Sequence, residues 1–226
     1  MESKILVIVG PTSSGKTKLA VDLARKFNGE IVSADSRQVY RGMDIGTGKD
    51  LGEYGSVPYH LIDVLNPQRV FTLAQYQKMA NKAIADILKR GKLPILAGGT
   101  GLYVYAVIDG YVLPHGKPDL KLRKKLAQLT LPKLLEKLRQ LDLPTYQTID
   151  QQNRRRIERA VEICLTTGKP LSQQREKKQP ARDMLILGLT VPRELLYKRI
   201  EKRLAERLDQ GMVKEVARLH KQGVSW

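Results

Sequence analysis

The 226 residues carry 40 lysines and arginines against 23 aspartates and glutamates, a formal charge of +17, with 42% hydrophobic and 28% charged side chains. That balance fits a globular chain with one substantial core; no apolar run approaches the ~18 residues of a membrane helix, and a single cysteine, Cys164, excludes an internal disulfide. The excess of positive charge fits a polyanionic partner such as nucleic acid, and equally a solubilising surface.

The opening MESKILVIVG has an acidic second residue and runs directly into a strand, so it does not read as a secretory signal, and a cytoplasmic location is expected. KILVIVG predicts a short strand that stops at glycine. KTKLAVDLARKF follows as a helix, with Leu19, Leu23 and Phe27 recurring on one face. GEIVSAD, 29–35, predicts a second strand with Asp35 near its end. Residues 71–92 read as a helix with Thr72 as its cap and Gly91 as its stop, and LPILAGGTGLY supplies a further strand with a glycine-rich exit. Short strands alternating with helices predict an α/β fold, a parallel sheet flanked by helices that gathers ligands at the carboxyl ends of its strands. VSAD and AGGTG are expected to end beside the first loop.

From 111 to 182 the pattern changes to helical stretches without a convincing strand, around DLKLRKKLAQL, LPKLLEKLRQL and NRRRIERAVEICLTTGK. This third of the chain holds 17 basic and 7 acidic side chains, +10 of the total +17. It reads as a helical insertion between a core segment, 1–110, and a return to the core, 183–226. MLILGLTV, 184–191, predicts a buried strand, and Pro192 opens a helix that ends at Gly211. On that helix Arg199, Arg203 and Arg207 lie along one face, with Leu196, Ile200, Leu204 and Leu208 as the adjacent apolar stripe. Cys164 falls in an apolar helical pattern and reads as a small buried hydrophobe. Tyr40, Tyr59, His60 and Phe71 read as structural side chains, and His60 lacks companions at zinc-ligand spacing.

Gly10, Gly15, Lys16 and Thr17 satisfy G-x-x-x-x-G-K-[ST] between a strand and a helix. The glycines let backbone N–H groups face an anion, the helix start adds partial positive charge, Lys16 adds a full charge, and the Thr17 hydroxyl can hold Mg2+. No Asn-Lys-x-Asp base-reading motif follows; NKAI at 81–84 lacks the aspartate. A small-molecule kinase with Asp35 as its base stays open at this point.

GPTSSGKT, SADSRQVYRGMDIGTGK (33–49), PYHLIDV, FTLAQYQ and GGTGLY, in this order and at these spacings, closely resemble the tRNA dimethylallyltransferases, which place an isopentenyl group on an adenosine beside the anticodon. The resemblance runs on through NRRRIERAVEI and LGLTVPRELLYKRIEKRLAERLDQGMVKEV. It implies a P-loop NTPase-like core with a tRNA-binding helical insertion. It further implies that Gly10, Pro11, Thr12, Ser13, Ser14, Gly15, Lys16 and Thr17, with Arg199 and Arg203, hold dimethylallyl diphosphate. Asp35 and Thr12 are then the candidate catalytic residues. Asp35, Ser36, Arg37, Gln38, Thr100, Arg123, Arg155, Arg156 and Arg159 are the candidate tRNA contacts, and Mg2+ at Thr17 is the expected cofactor. A monomer is expected, without a membrane partner.

The chemistry of prenyl transfer agrees with these residue types. Charge builds on the departing diphosphate, so fixed cations and N–H groups lower the barrier. The attacking exocyclic amine of adenine is a weak nucleophile that a carboxylate such as Asp35 assists by taking its proton. Bland readings stand beside these roles. Asp35 could cap a turn or bridge Mg2+; GGTG could be only a strand-to-helix turn; Ser36–Gln38 could be a surface turn; and the RRRIER arginines could be solvated charge. An adenylate isopentenyltransferase acting on free nucleotides, a P-loop kinase, and a non-catalytic RNA-binding module remain alternatives. Family members continue through further helices and a motif resembling IGYKE, whereas this sequence ends at KQGVSW.

Overall fold

The computed structural model describes residues 4–110, 119–174 and 183–225. The chain divides into two compact units, Met1–Asp109 with Gln179–Trp226, and Gly110–Lys178. The expected borders at 111 and 182 fall outside the described residues.

The first unit is a five-stranded sheet built from β1 (Lys4–Val9), β2 (Gly29–Ser33), β3 (Tyr59–His60), β4 (Leu93–Ala97) and β5 (Asp183–Gly188), in the order β3-β2-β4-β1-β5. Every pairing between these strands is parallel. The period of two along each strand sorts its side chains to two faces. Ile5 and Val7 of β1 join Val32 and Leu96 on the face covered by α2 (Leu73–Lys89) and α3 (Gly101–Ile108). Leu6 and Ile8 join Ile31 and Ile95 on the face covered by α1 (Lys16–Lys26). Both faces are thus covered, which is why the strands read as continuous apolar runs. Parallel pairing also brings the carboxyl ends of β1, β2 and β4 side by side, and the loops leaving them form one rim.

Thr72 caps α2 as expected: its hydroxyl accepts from the Gln75 N–H, and the Gln75 side chain accepts from the Thr72 N–H. This reciprocal box is worth about 1 kcal/mol.

One expectation about burial is corrected, that of β5, and two apolar helical patterns prove partly exposed. Phe27 lies beyond the end of α1 and is 52% exposed, while Ala20, Val21 and Ala24 form the buried face of that helix. Strand β5 is an edge strand, not a buried one; it pairs with β1 alone, and Leu185 and Ile186 are exposed. On α8 (Arg193–Asp209) no residue is buried, so the stripe of Ile200, Leu204 and Leu208 lies open among the described residues. The final helix, α9, runs Met212–Lys221 after a left-handed Gly211.

The second unit packs α4 (Leu120–Ala127), α5 (Leu131–Leu141), α6 (Leu143–Thr148) and α7 (Arg154–Thr167) around Leu126, Leu134, Leu138, Ile157, Val161 and Cys164. Burial raises the Cys164 thiol above its ordinary value, consistent with a packing role. Helix α6 was not anticipated. Its signal is Asp142, a buried N-cap that accepts from the Thr145 N–H at 3.1 Å, the Thr145 hydroxyl at 2.6 Å and the Ser172 N–H at 2.8 Å.

Candidate active site

Three chain segments meet at the carboxyl rim of the first unit and enclose a cavity of about 690 Å³. Thr12–Lys18 supply one wall, Asp35, Arg37, Gln38 and the 46–50 turn a second, and the arginines of α8 a third.

The first wall is shaped as an anion cradle. Gly15 is left-handed at φ 91 and has open space where a Cβ would stand, so its backbone is accessible from the cavity. At Gly10 the constraint is proximity: a Cβ would meet the Leu189 carbonyl at 2.9 Å and the Ser14 Oγ at 3.0 Å. Ser13 also adopts a left-handed backbone, at φ 61, unusual for a residue with a side chain. Among the described residues the Ser13 and Ser14 hydroxyls are buried without a hydrogen-bond partner. Beside an anion cradle such unpaired hydroxyls are available to a polar ligand. Lys16 donates to the Pro11 carbonyl at 2.6 Å. Burial lowers its pKa below the usual lysine value, Asp35 opposing and Arg203 adding to the effect.

Asp35 sits two residues beyond β2. Its Oδ1 accepts from the Arg37 N–H at 2.8 Å and the Gln38 N–H at 3.4 Å, so it does cap its own turn, as the bland reading held. Among the described residues no hydrogen bond engages Oδ2, which leaves one oxygen for chemistry. The turn is stitched to the β4 exit: Ala34 donates to Ala97 at 2.8 Å, Thr100 donates to Ala34 at 3.0 Å, and the Thr100 hydroxyl accepts from the Ser36 N–H at 3.0 Å. The two loops approach so closely that a Cβ on Gly98 would lie 2.3 Å from the Ala34 carbonyl carbon. Thr100 therefore supports the Asp35 turn and is not among the cavity-lining residues. Gln38 is held on both sides, its Nε2 donating to the Gly48 carbonyl at 2.9 Å and its Oε1 accepting from Ser33 at 3.3 Å.

Arg199 and Arg203 line the cavity as expected, and Arg207 joins them. Arg203 is ion-paired with Asp50, and Arg207 lies 3.7 Å from the same carboxylate. Burial holds the Arg207 guanidinium below its ordinary pKa, with Arg203 adding to this and Asp50 opposing it. Sequence reasoning placed Arg207 on the right helix face without assigning it to the site, and it missed Asp50, whose partner is 153 residues away in sequence. It also missed Lys49. This lysine is 2% exposed and donates to the Tyr40 carbonyl at 2.7 Å, to Asp44 at 2.6 Å and to Asp63.

The candidate tRNA contacts of the second unit divide. Glu162 is 2% exposed and accepts from Arg123 at 2.8 Å and Arg159 at 2.7 Å. Burial works to raise the Glu162 pKa, but the hydrogen bonds from these arginines outweigh it and hold the carboxyl below its usual range. Arg154 is engaged as well, by the Ala127 and Leu129 carbonyls at 2.8 Å and by Glu158 at 2.7 Å. Arg155 and Arg156 are exposed beside the start of α7 and line a surface depression with Asp150, Asn153 and Arg159.

Among the described residues no cluster of acidic, histidine or cysteine side chains could hold a metal by itself, and no helix is long and apolar enough to cross a membrane. Mg2+ keeps most of its waters and takes one or two protein oxygens plus substrate phosphates, so a single hydroxyl beside an anion cradle fits it. Thr17 lines the cavity at the first turn of α1 and meets that requirement.

Comparison with known proteins agrees with this geometry. Residues 38–226 match the family model for IPP transferase, and residues 3–57 that for isopentenyl transferase. The chain is 46% identical over 227 residues to a tRNA dimethylallyltransferase of Roseiflexus sp. (strain RS-1), covering 98% of this chain and 74% of that one. Among solved structures, the full-length tRNA isopentenylpyrophosphate transferase of Bacillus halodurans is 40% identical with a TM-score of 0.69, over 99% of this chain and 72% of that one. A eukaryotic dimethylallyltransferase acting on tRNA reaches a TM-score of 0.86 at 30% identity, over 97% and 56%. Phosphate loop, carboxylate turn and arginine helix converge in the way the motifs required, and the chain belongs to the IPP transferase family.

Proposed function

We propose that this chain transfers a dimethylallyl group from dimethylallyl diphosphate to the exocyclic amine of the adenosine beside the anticodon of tRNA, releasing diphosphate. The observation that carries the reading is the gathering within one cavity of an anion cradle, the α8 arginines and the Asp35 carboxylate.

The diphosphate lies against the N–H groups of 13–17, with Ser13 and Ser14 supplying hydroxyls, Thr12 lining its path, and Lys16, Arg199 and Arg203 supplying charge. Lys16 leaves the Pro11 carbonyl to reach it. As the allylic C–O bond breaks, negative charge grows on the leaving diphosphate, and fixed donors in a water-poor site stabilise it by several kcal/mol. The adenine nitrogen forms the new C–N bond, and Asp35 Oδ2 accepts the proton and later returns it to solvent. Thr17 with the diphosphate oxygens would hold Mg2+, which when bound adds further positive charge to the leaving group. Gln38, Ser36 and Arg37 face the flipped nucleotide, whose edge and shape are read in the pocket. Arg155 and Arg156 meet backbone phosphates, a contact suited to RNA held by its loop and backbone.

The test offers labelled dimethylallyl diphosphate and Mg2+ with undermodified tRNA, with free AMP, or with ATP and small acceptors replacing the prenyl donor. Label in tRNA alone is expected. Label in AMP would transfer the reading to an adenylate isopentenyltransferase, and phosphate transfer from ATP to a kinase.

A further inference from the structure

The turn at 44–48 forms part of the cavity, yet the side chain that holds it lies on another helix. Glu215 of α9 is 8% exposed. Its Oε2 accepts from the Asp44 N–H at 2.8 Å and the Ile45 N–H at 2.9 Å, and its Oε1 accepts from the Gly46 N–H at 3.0 Å. Three successive backbone N–H groups around one carboxylate make an anion-binding nest filled from within the protein. Arg218, one turn further along α9, donates to the Gly42 carbonyl at 2.9 Å, so the helix grips the same segment twice.

What the turn does for the cavity follows from its other side. The Gly48 carbonyl fixes the amide of Gln38, and Asp50 pairs with Arg203 and approaches Arg207. One short segment therefore sets a group facing the nucleotide and the arginines facing the leaving group. From the far end of that segment Lys49 ties it to Asp44 and Asp63. We propose that Glu215 is a positioning residue for the transfer reaction, acting through the 44–50 segment to hold Gln38 and Arg203 in register across the cavity. The inference rests on the prenyl-transfer reading. Near-attack geometry is sensitive to displacements of about 1 Å, so loosening this turn slows transfer without removing any group that touches substrate.

A glutamine at 215 keeps the size but offers one acceptor oxygen, and its amide nitrogen opposes the backbone donors. The full chain would carry E215Q or E215D, with V213A on an exposed position of the same helix as control. Three readouts are taken at a temperature where thermal melts show each variant folded: hydrogen exchange at residues 44–46, affinity for inorganic pyrophosphate, and single-turnover transfer from dimethylallyl diphosphate to tRNA. In E215Q exchange should accelerate at least tenfold and transfer should fall at least tenfold. Pyrophosphate affinity, to which the 10–17 loop contributes beside the α8 arginines, should fall by much less than the rate. E215D should fall between, V213A should match the unmodified protein, and if E215Q does not fold, E215D carries the test. Unchanged exchange, an unchanged transfer rate, or a loss of pyrophosphate affinity as large as the loss of rate would each overturn the proposal. A wild-type chain that fails to transfer to tRNA would instead remove the functional reading, and exchange at 44–46 would still decide whether Glu215 holds the turn.

Discussion

The two units use positive charge in opposite ways. In the first, Arg199, Arg203 and Arg207 rise at four-residue intervals along α8 and converge on a cavity where Asp50 pairs with Arg203 and approaches Arg207. In the second, part of the larger excess of charge is held by the unit itself: Glu162 engages Arg123 and Arg159 and backbone carbonyls engage Arg154, all three still partly exposed, while Arg155 and Arg156 lie exposed. Net charge by itself therefore says little about binding. What separates a binding arginine from a structural one is whether a buried acceptor already holds it.

The contrast can be broken most sharply at the cavity's far wall. Asp35→Ala should lower the single-turnover transfer rate by about 10²–10⁴, the usual contribution of a positioned base, while dimethylallyl diphosphate still binds within threefold of normal. Calorimetry beside rapid quench reads both, and an equal loss of binding and rate would deny Asp35 the base role. Arg203→Ala should cost about 10²–10³ in rate, as loss of one preorganised donor to a leaving group does. That loss should persist when the labelled donor is saturating.

In the second unit the double variant Arg155→Ala/Arg156→Ala should weaken tRNA binding about tenfold and flatten the dependence of log affinity on log salt by about 1.4, two single-strand phosphate contacts' worth. Melting temperature should stay unchanged. Glu162→Gln should do the reverse, costing about 1–3 kcal/mol of stability with little direct effect on the salt slope. The pH dependence follows from the same carboxylate. Because Glu162 and Asp142 lie below their ordinary pKa values in the folded chain, the unfolded chain takes up their protons first as pH falls. Their contribution is complete above the unfolded values, about 4, and disappears as pH drops through the folded ones. Thermal melts between pH 6 and 3 should show a shallower decline for Glu162→Gln than for the unmodified chain.

The smallest effect concerns Lys16, whose pKa burial lowers in the free protein. A bound diphosphate favours the protonated amine, so binding at alkaline pH should take up protons, and affinity should fall as pH rises through the lowered value. Calorimetry in buffers of different ionisation heat measures this, and no dependence on buffer would exclude Lys16 from the anion contact.

Local signals in the sequence carried much of this arrangement. G-x-x-x-x-G-K-[ST] between a strand and a helix is a contiguous motif, and so are the Thr72 cap and the Asp35 strand end; each depends on neighbours a few residues away. Burial of β5 was misjudged because apolar runs report what a chain could bury, whereas sheet order decides what is covered. Asp50 and Glu215 escaped because their roles arise from pairing across the fold: Glu215 meets the 44–46 backbone some 170 residues away. Nothing near Glu215 in the chain distinguishes it from other helical glutamates. Thr100, expected among the ligand contacts, holds the Ser36 N–H, since a hydroxyl at a strand exit serves a neighbouring turn as readily as a substrate.

The most direct measurement is the mass of the nucleoside beside the anticodon, taken from undermodified tRNA after incubation with this protein, dimethylallyl diphosphate and Mg2+. One added dimethylallyl group on the exocyclic nitrogen, with one diphosphate released for each, is the outcome this account requires. An unaltered adenosine in the presence of bound tRNA and bound donor, or consumption of ATP at the same cradle, would contradict it.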